Sequence, residues 1–118
     1  MPAIAALSTI IIDCADPAAL AEFYGKVTGW PVTFRDDDTV HLGEGSVSLG
    51  FQRIADYRGP SWPDAAKHFH LDFSVGDVDG AVKELLSEGA AKPEFQPGGG
   101  EWTVLADPEG HLFCIAAA

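Results

Sequence analysis

Apolar and polar residues alternate without interruption along the segment from His68 to Val75. Its even-numbered positions are His, His, Asp and Ser, and its odd-numbered positions are Phe, Leu, Phe and Val. A period of two residues is typical of a β-strand with one face on a core and the other face polar. The pattern therefore predicts a strand whose polar face presents His70 to a metal, a substrate or a neighbouring side chain.

The first half of the chain predicts a strand, a helix and three further strands. The β-branched run around Thr9 favours a buried strand. Asp16 and Pro17 are typical of a helix start, and apolar residues continue at helical spacing towards Gly29, a residue typical of a helix end. Turn-forming residues separate the three strands that follow. These strands are predicted at Pro31–Arg35, Thr39–Leu42 and Ser46–Gln52.

The second half repeats this order of elements, which indicates two similar modules. The His68–Val75 strand leads to Asp77 as a helix cap, and the offset between Asp16 and Asp77 also relates Thr9 to His70. Three strands are predicted after the second helix, at Ala91–Gln96, Glu101–Ala106 and Leu112–Ala116. We expect one domain, residues 1–118, with module 1 at about 4–53, a Pro- and Gly-rich linker at 54–67 and module 2 at about 68–118.

Composition narrows the function classes. The net charge of −11 leaves no basic patch to bind phosphates, which argues against nucleic acid and anionic membranes as partners. Two cysteines, Cys14 and Cys114, form no disulfide framework, and free thiols fit the reducing cytoplasm. The apolar N-terminal run lacks the basic residues of a signal peptide, so we interpret it as the first strand.

Three local runs, in this order of elements, resemble the vicinal oxygen chelate superfamily, which includes glyoxalase I, extradiol dioxygenases and bleomycin resistance proteins. The runs are Asp16–Tyr24 with Gly29 and Trp30, His70–Val75 with Asp77, and Asp107–His111. The chain is most similar to small bacterial glyoxalase-like domain proteins. The resemblance implies an α+β fold of two βαβββ modules in tandem, whose curled mixed sheet forms a cup around a small-molecule site. It also implies a homodimer.

The resemblance further implies that metal ligands come from the first and last strands of each module. The matching positions here are Thr9, Gln52, His70 and Cys114. His70 and Gln52 are residue types that the superfamily uses, whereas Thr9 is a poor ligand and Cys114 stands where a glutamate is usual. Zinc, nickel, manganese or iron are the divalent ions such a site would take, but a set without a carboxylate is unusual for them.

Other residues are candidates for contacting a small-molecule ligand. Asp72 shares the polar face of the strand with His70, and Cys114 is either a thiol activated by His70 or, as its apolar neighbours favour, a packed core residue. Tyr57 and Trp62 lie on the linker, where they could close over the cup. Alternatively, Trp62 packs the linker onto the core. We expect His111, in a turn, to be exposed or satisfied by a neighbouring group.

These patterns support three functions. The first is a small-molecule-binding protein that holds its ligand in the cup with His70, Gln52 and the linker aromatics, without a required metal. The second is a metal-dependent lyase, isomerase or dioxygenase with a modified ligand set. The third is a non-catalytic dimeric module whose cup is filled by its own side chains. We favour the first because Cys114 replaces the expected carboxylate.

Overall fold

The computed structural model describes residues 3, 6–59 and 70–117, and in these residues the chain forms two separate units. They comprise Met1–Arg58 and Gly59–Ala118. Each unit has one helix packed on one open sheet of mixed parallel and antiparallel strands, which confirms the predicted α+β class. The predicted module boundaries stay a prediction, and Trp62, His68 and Phe69 lie outside the described residues.

The first unit contains four strands and one helix. Their bounds are β1 Thr9–Cys14, α1 Pro17–Thr28, β2 Val32–Arg35, β3 Thr39–Gly43 and β4 Ser48–Arg53. The strand order is β1-β4-β3-β2, with β1 parallel to β4 and the other pairs antiparallel. The predicted meander of three short strands is therefore confirmed. The last strand, β4, lies beside the first strand, β1.

Helix α1 begins and ends as its sequence predicts. The Ala19 N–H donates to Asp16 Oδ1 at 3.2 Å, and Gly29 follows the helix with φ of +74°. This left-handed conformation suits glycine, whose N–H donates to the Gly25 carbonyl at 2.8 Å. Tyr24 is buried and stacks on Phe51 of β4, with ring centroids 5.4 Å apart. The apolar stripe of α1 thus covers one face of the sheet.

The second unit contains β5 Leu71–Val75, α2 Val78–Ser87, β6 Thr103–Ala106 and β7 Leu112–Ala117. The strand order is β5-β7-β6, with β5 parallel to β7 and β6 antiparallel to it. Burial along β5 alternates as predicted, since Asp72 and Ser74 are exposed between partly buried apolar residues. On the apolar face, the ring of Phe73 meets that of Phe113 edge to face at 5.7 Å between centroids.

The prediction of a strand at Ala91–Gln96 is wrong, because this segment contributes only an isolated bridge between Ala91 and Ala106. Pro93 lacks an N–H and therefore cannot donate to a strand ladder. The side-chain amide of Gln96 makes hydrogen bonds to Val104 in place of those that a neighbouring strand would make. Its Nε2 donates to the carbonyls of Pro93 and Val104 at 2.8 and 2.9 Å, and its Oε1 accepts from the Val104 N–H at 2.9 Å.

Within residues 6–59 and 70–117, neither helix has the length and apolar character that crossing a membrane requires.

We predict that Gln96→Ala lowers the free energy of unfolding by about 1–3 kcal/mol, because it leaves the partly buried N–H and carbonyl of Val104 without these partners. Gln96→Glu should destabilise the protein too, since a carboxylate cannot donate to the two carbonyls. Urea denaturation measures both effects. Glu94→Ala, at an exposed position in the same segment, is the control and should change the midpoint little. Equal midpoints for the Gln96 variants and the control would contradict the role given to this amide.

Candidate functional site

An open cavity of about 740 Å³ lies on the face of the second unit's sheet that carries the polar residues of β5. Strand register determines which side chains share this face. Asp72 lies opposite Cys114, and Ser74 lies opposite Ala116. Directly opposed residues on neighbouring strands point to the same side of a sheet. These four residues all line the cavity.

The floor of the cavity is apolar. Val104 of β6 and Leu112 and Cys114 of β7 are buried and pack in one cluster, with Ala106 beside it. Cys114 is only 8% exposed. Its surroundings support the interpretation that this thiol packs as a small hydrophobic side chain. A ligand on this face would therefore rest on hydrocarbon.

Three polar groups meet at one side of the cavity. His70 Nε2 lies 3.2 Å from Asp72 Oδ1, and these side chains are 37% and 78% exposed. One nitrogen of His70, one oxygen of Asp72 and the sulfur of Cys114 all lie within 4.8 Å of one another. The two-residue spacing on β5 brings His70 and Asp72 together, and the pairing of β5 with β7 adds Cys114.

The position of Asp72 changes the donor set expected from the sequence. The set of Thr9, Gln52, His70 and Cys114 contains no carboxylate, whereas Asp72 supplies one directly opposite Cys114. The alternation along β5 places Asp72 on the same face as His70. The pairing of β5 with β7 is hidden in the sequence, because the two strands lie far apart along the chain.

Three residues of the turn before β6 line the cavity, Pro97, Glu101 and Trp102, and we call this part of the lining its mouth. The sequence leaves Trp102 open as either a ligand contact or a packed side chain, and it singles out neither Pro97 nor Glu101 as a ligand contact. They belong to a turn in which Gly99 and Gly100 have φ of +58° and +96°. The Glu101 N–H closes the turn by donating to the carbonyl of Gly98 at 3.0 Å. The run of Pro97 and three glycines predicts this turn, and the structure has it.

Trp102 passes so close to Gly98 that no larger residue fits there. A Cβ on Gly98 would stand 2.2 Å from the Trp102 carbonyl oxygen and 2.8 Å from Cδ2 of its ring. Upstream, the side chain of Gln96 ties this segment to Val104. The close contact at Gly98 and the hydrogen bonds of Gln96 therefore both restrict the position of the turn and of the Trp102 indole.

The candidate residues of the first unit do not lie side by side. Thr9 pairs with Ser48, and Gln52 pairs with Asp13 at the other end of the two strands. Four residues along a strand correspond to about 13 Å, so Thr9 and Gln52 do not contribute ligands to one ion within this unit. Tyr57 is half-buried in the first unit.

Register also identifies the first unit's counterpart of the pair formed by Asp72 and Cys114. It is Ile11 opposite Gly50, and neither residue has a ligating side chain. A Cβ on Gly50 would lie 2.6 Å from Ile11 Cδ1 and 2.8 Å from Cδ2 of His41. Apolar and imidazole atoms therefore cover this point of the first sheet, where the second sheet presents a thiol and a carboxylate.

The turn between β6 and β7 fixes the start of the strand that carries Cys114. The Asp107 side chain is fully buried, and its Oδ1 accepts from the N–H groups of Glu109 and His111 at 2.8 and 3.0 Å. Its Oδ2 lies 2.7 Å from His111 Nδ1. His111 is thus satisfied by a neighbouring carboxylate, as expected.

A family pattern, solved structures and curated relatives all relate this chain to glyoxalase-like proteins. The pattern that defines the glyoxalase-like domain family matches residues 9–116. The crystal structure of a glyoxalase/bleomycin resistance protein/dioxygenase family enzyme from Burkholderia phytofirmans is 26% identical, covers 96% of this chain and 98% of its own, and superposes with a TM-score of 0.73. A glyoxalase family protein from Enterococcus faecalis, at 21% identity, has a TM-score of 0.70, with 96% and 98% covered, and shares the fold.

A curated relative matches a shorter stretch. CFP32 from Mycobacterium bovis, whose name includes the word glyoxylase, is 28% identical over 72 residues, or 58% of this chain. The chain spans only 28% of the length of that relative. The same match is found to the protein of that name from Mycobacterium tuberculosis.

We predict that Gly98→Ala displaces Trp102 and costs about 1–3 kcal/mol of stability, because the new methyl group meets backbone as well as side-chain atoms. Gly45→Ala is the matched control, since a Cβ there has no atom within 4 Å. Indole N–H signals in ¹⁵N-correlated NMR spectra should show one tryptophan shifted in Gly98→Ala and none in Gly45→Ala. An unchanged indole spectrum with wild-type stability would contradict the close approach.

Proposed function

The chain belongs to the glyoxalase-like domain family, and on this basis we propose that it binds a small molecule in the cavity of its second unit without requiring a metal. The observation that carries the proposal is the 740 Å³ cavity on the polar face of β5. Ligand pockets in proteins usually measure about 300–1,000 Å³ and combine apolar walls with a few placed polar groups. The cavity has both properties.

In this proposal the lining residues have different roles in binding the ligand. Val104 and Leu112 supply the apolar floor that takes up the body of the ligand. Asp72 orients the imidazole of His70 through their 3.2 Å contact, and His70 hydrogen-bonds a polar atom of the ligand. Trp102 borders the mouth and covers part of the ligand with its indole.

The open volume supports this proposal over a module whose site is filled by its own side chains. Leu112 and Cys114 are buried in the floor, and Pro97, Glu101 and Trp102 of the turn before β6 also line the space. The described side chains of the second unit leave this volume open, as a ligand site requires.

The test uses two neighbouring alanines of β7 that face opposite sides. Ala116 lines the cavity and pairs with Ser74, whereas Ala117 is exposed at the next position. We predict that ligands found by a thermal-shift screen lose their effect on Ala116→Leu and keep it on Ala117→Leu. A ligand present at a hundred times its Kd should stabilise the wild-type protein by about 2.7 kcal/mol.

Two outcomes would contradict the proposal. One is a flat screen against a broad library of aromatic and polar small molecules. The other is a set of ligands that stabilise wild type and Ala116→Leu equally, since those molecules bind elsewhere.

The second candidate function is a metal-dependent lyase, isomerase or dioxygenase, and the cluster of His70, Asp72 and Cys114 favours it. An imidazole, a carboxylate and a thiolate fit zinc, which in catalytic sites has three protein ligands and an open position. Thiolate suits manganese less well. When bound, such an ion would polarise a substrate oxygen as a Lewis acid. In this second candidate, Trp102 and the apolar floor would position the substrate beside these three residues.

A chelator separates the two candidates. We predict that ligand-induced stabilisation persists after dialysis against EDTA, because hydrocarbon, His70 and Trp102 provide the binding energy. Zinc content, measured by elemental analysis of untagged protein, should be well below one ion per chain. Near-stoichiometric zinc that is lost in His70→Ala and retained in His41→Ala, together with ligand binding that EDTA abolishes, would establish the metal-dependent function instead.

A homodimer and a cytoplasmic location complete the proposal. The homodimer is expected from the family resemblance, and the cytoplasm from two buried cysteines that form no disulfide. Sedimentation equilibrium measures the first.

A further inference from the structure

We propose that the cavity selects ligands that combine a positive charge with a flat aromatic body. This inference rests on the proposed binding function and specifies its substrate class. Three features of the second unit support it: the charges that line the cavity, the indole at the mouth and the apolar floor.

The charged residues among the described lining residues carry negative charge. Asp72 and Glu101 supply two carboxylates to the lining, one from β5 and one from the turn before β6. The described lining contains no lysine or arginine. The chain as a whole carries a net charge of −11. A cleft with charges of one sign and low-dielectric walls concentrates its field, so this cavity attracts cations and repels anions.

The indole of Trp102 adds a second preference for the same charge. Trp102 is 39% exposed, which leaves part of its ring surface accessible beside the cavity. A cation held over an indole face is stabilised by the ring quadrupole, and tryptophan is the best side chain for this contact. Glu101 and Trp102 both line the cavity, so the lining offers a carboxylate as well as an aromatic ring to a cation.

The floor accounts for the rest of the ligand. Val104 and Leu112 offer hydrocarbon, and His70 and Ser74 add polar groups to the described lining. A small, strongly hydrated ion such as ammonium has no hydrocarbon to bury and would gain little from this surface. A flat ring system that carries the charge would bury its faces against the floor and the indole.

Three compounds of similar shape test charge alone: 1-methylquinolinium, quinoline and 2-naphthoate, titrated calorimetrically at pH 8 with EDTA present. EDTA keeps trace metal from competing for Asp72. We expect the cation to bind about ten times more tightly than neutral quinoline, which corresponds to the strength of one desolvated cation–π contact with its neighbouring charge. The anion should give no measurable heat of binding.

Matched variants assign the preference to named residues. Glu101→Gln should weaken 1-methylquinolinium about threefold to tenfold and leave quinoline unchanged, because it removes charge but keeps shape. Glu94→Gln removes the same charge from an exposed position outside the described lining and should leave both affinities unchanged. Trp102→Leu should weaken both compounds, and the cation more.

Each result decides the inference. Equal affinity for cation and quinoline would overturn the charge preference while the binding function stands. If Glu101→Gln and Glu94→Gln lower the affinity for 1-methylquinolinium equally, the net charge of the protein attracts the cation, and the inference that the cavity selects it is wrong. If neither compound binds, yet the thermal-shift screen yields ligands that Ala116→Leu blocks, the ligand class is wrong and the binding function is right. If both experiments give nothing, both proposals fail.

Discussion

The parallel pairing of β5 with β7 is the constraint on which the candidate site depends. This register sets Asp72 opposite Cys114 and Ser74 opposite Ala116, and so gives one face of the second sheet its polar edge and its cavity lining. A shift of one residue would turn the side chains of β5 to the opposite face. The turn locked by Asp107 and His111 holds the start of β7 and thereby resists such a shift.

The missing fourth strand of the second unit is equally important for the site. Because Pro93 cannot join a ladder, the chain before β6 is free to turn back towards the cavity mouth. The amide of Gln96 replaces the absent backbone pairing with three hydrogen bonds, so Val104 stays satisfied. This irregular segment leads directly into the turn that carries Glu101 and Trp102.

The sequence predicts the local features of this protein and misses those that depend on contacts between distant segments. Alternation predicts the polar face of β5, and Asp16 and Asp77 mark where the two helices begin, because these signals act over a few residues. Of the two, only Asp16 accepts a capping hydrogen bond with its side chain. Inter-strand register is not a local property. It brings Asp72 to Cys114, and it separates Thr9 from Gln52. The substitution of a side-chain amide for a strand likewise follows from a contact that no period in the sequence encodes.

Comparison of the two units explains why one sheet face is the better candidate for binding. The two sheets have the same strand order where they can be compared, β1-β4-β3 and β5-β7-β6. In the first, Ile11 and His41 close over Gly50, which has no side chain of its own. In the second, the equivalent position carries Cys114 below a cavity edged by two carboxylates. Those carboxylates would attract a metal ion and an organic cation alike. Asp72 beside His70 and Cys114 favours the metal ion, whereas Glu101 and Trp102 favour the organic cation. The two candidate ligands would therefore compete for the same negatively charged cavity.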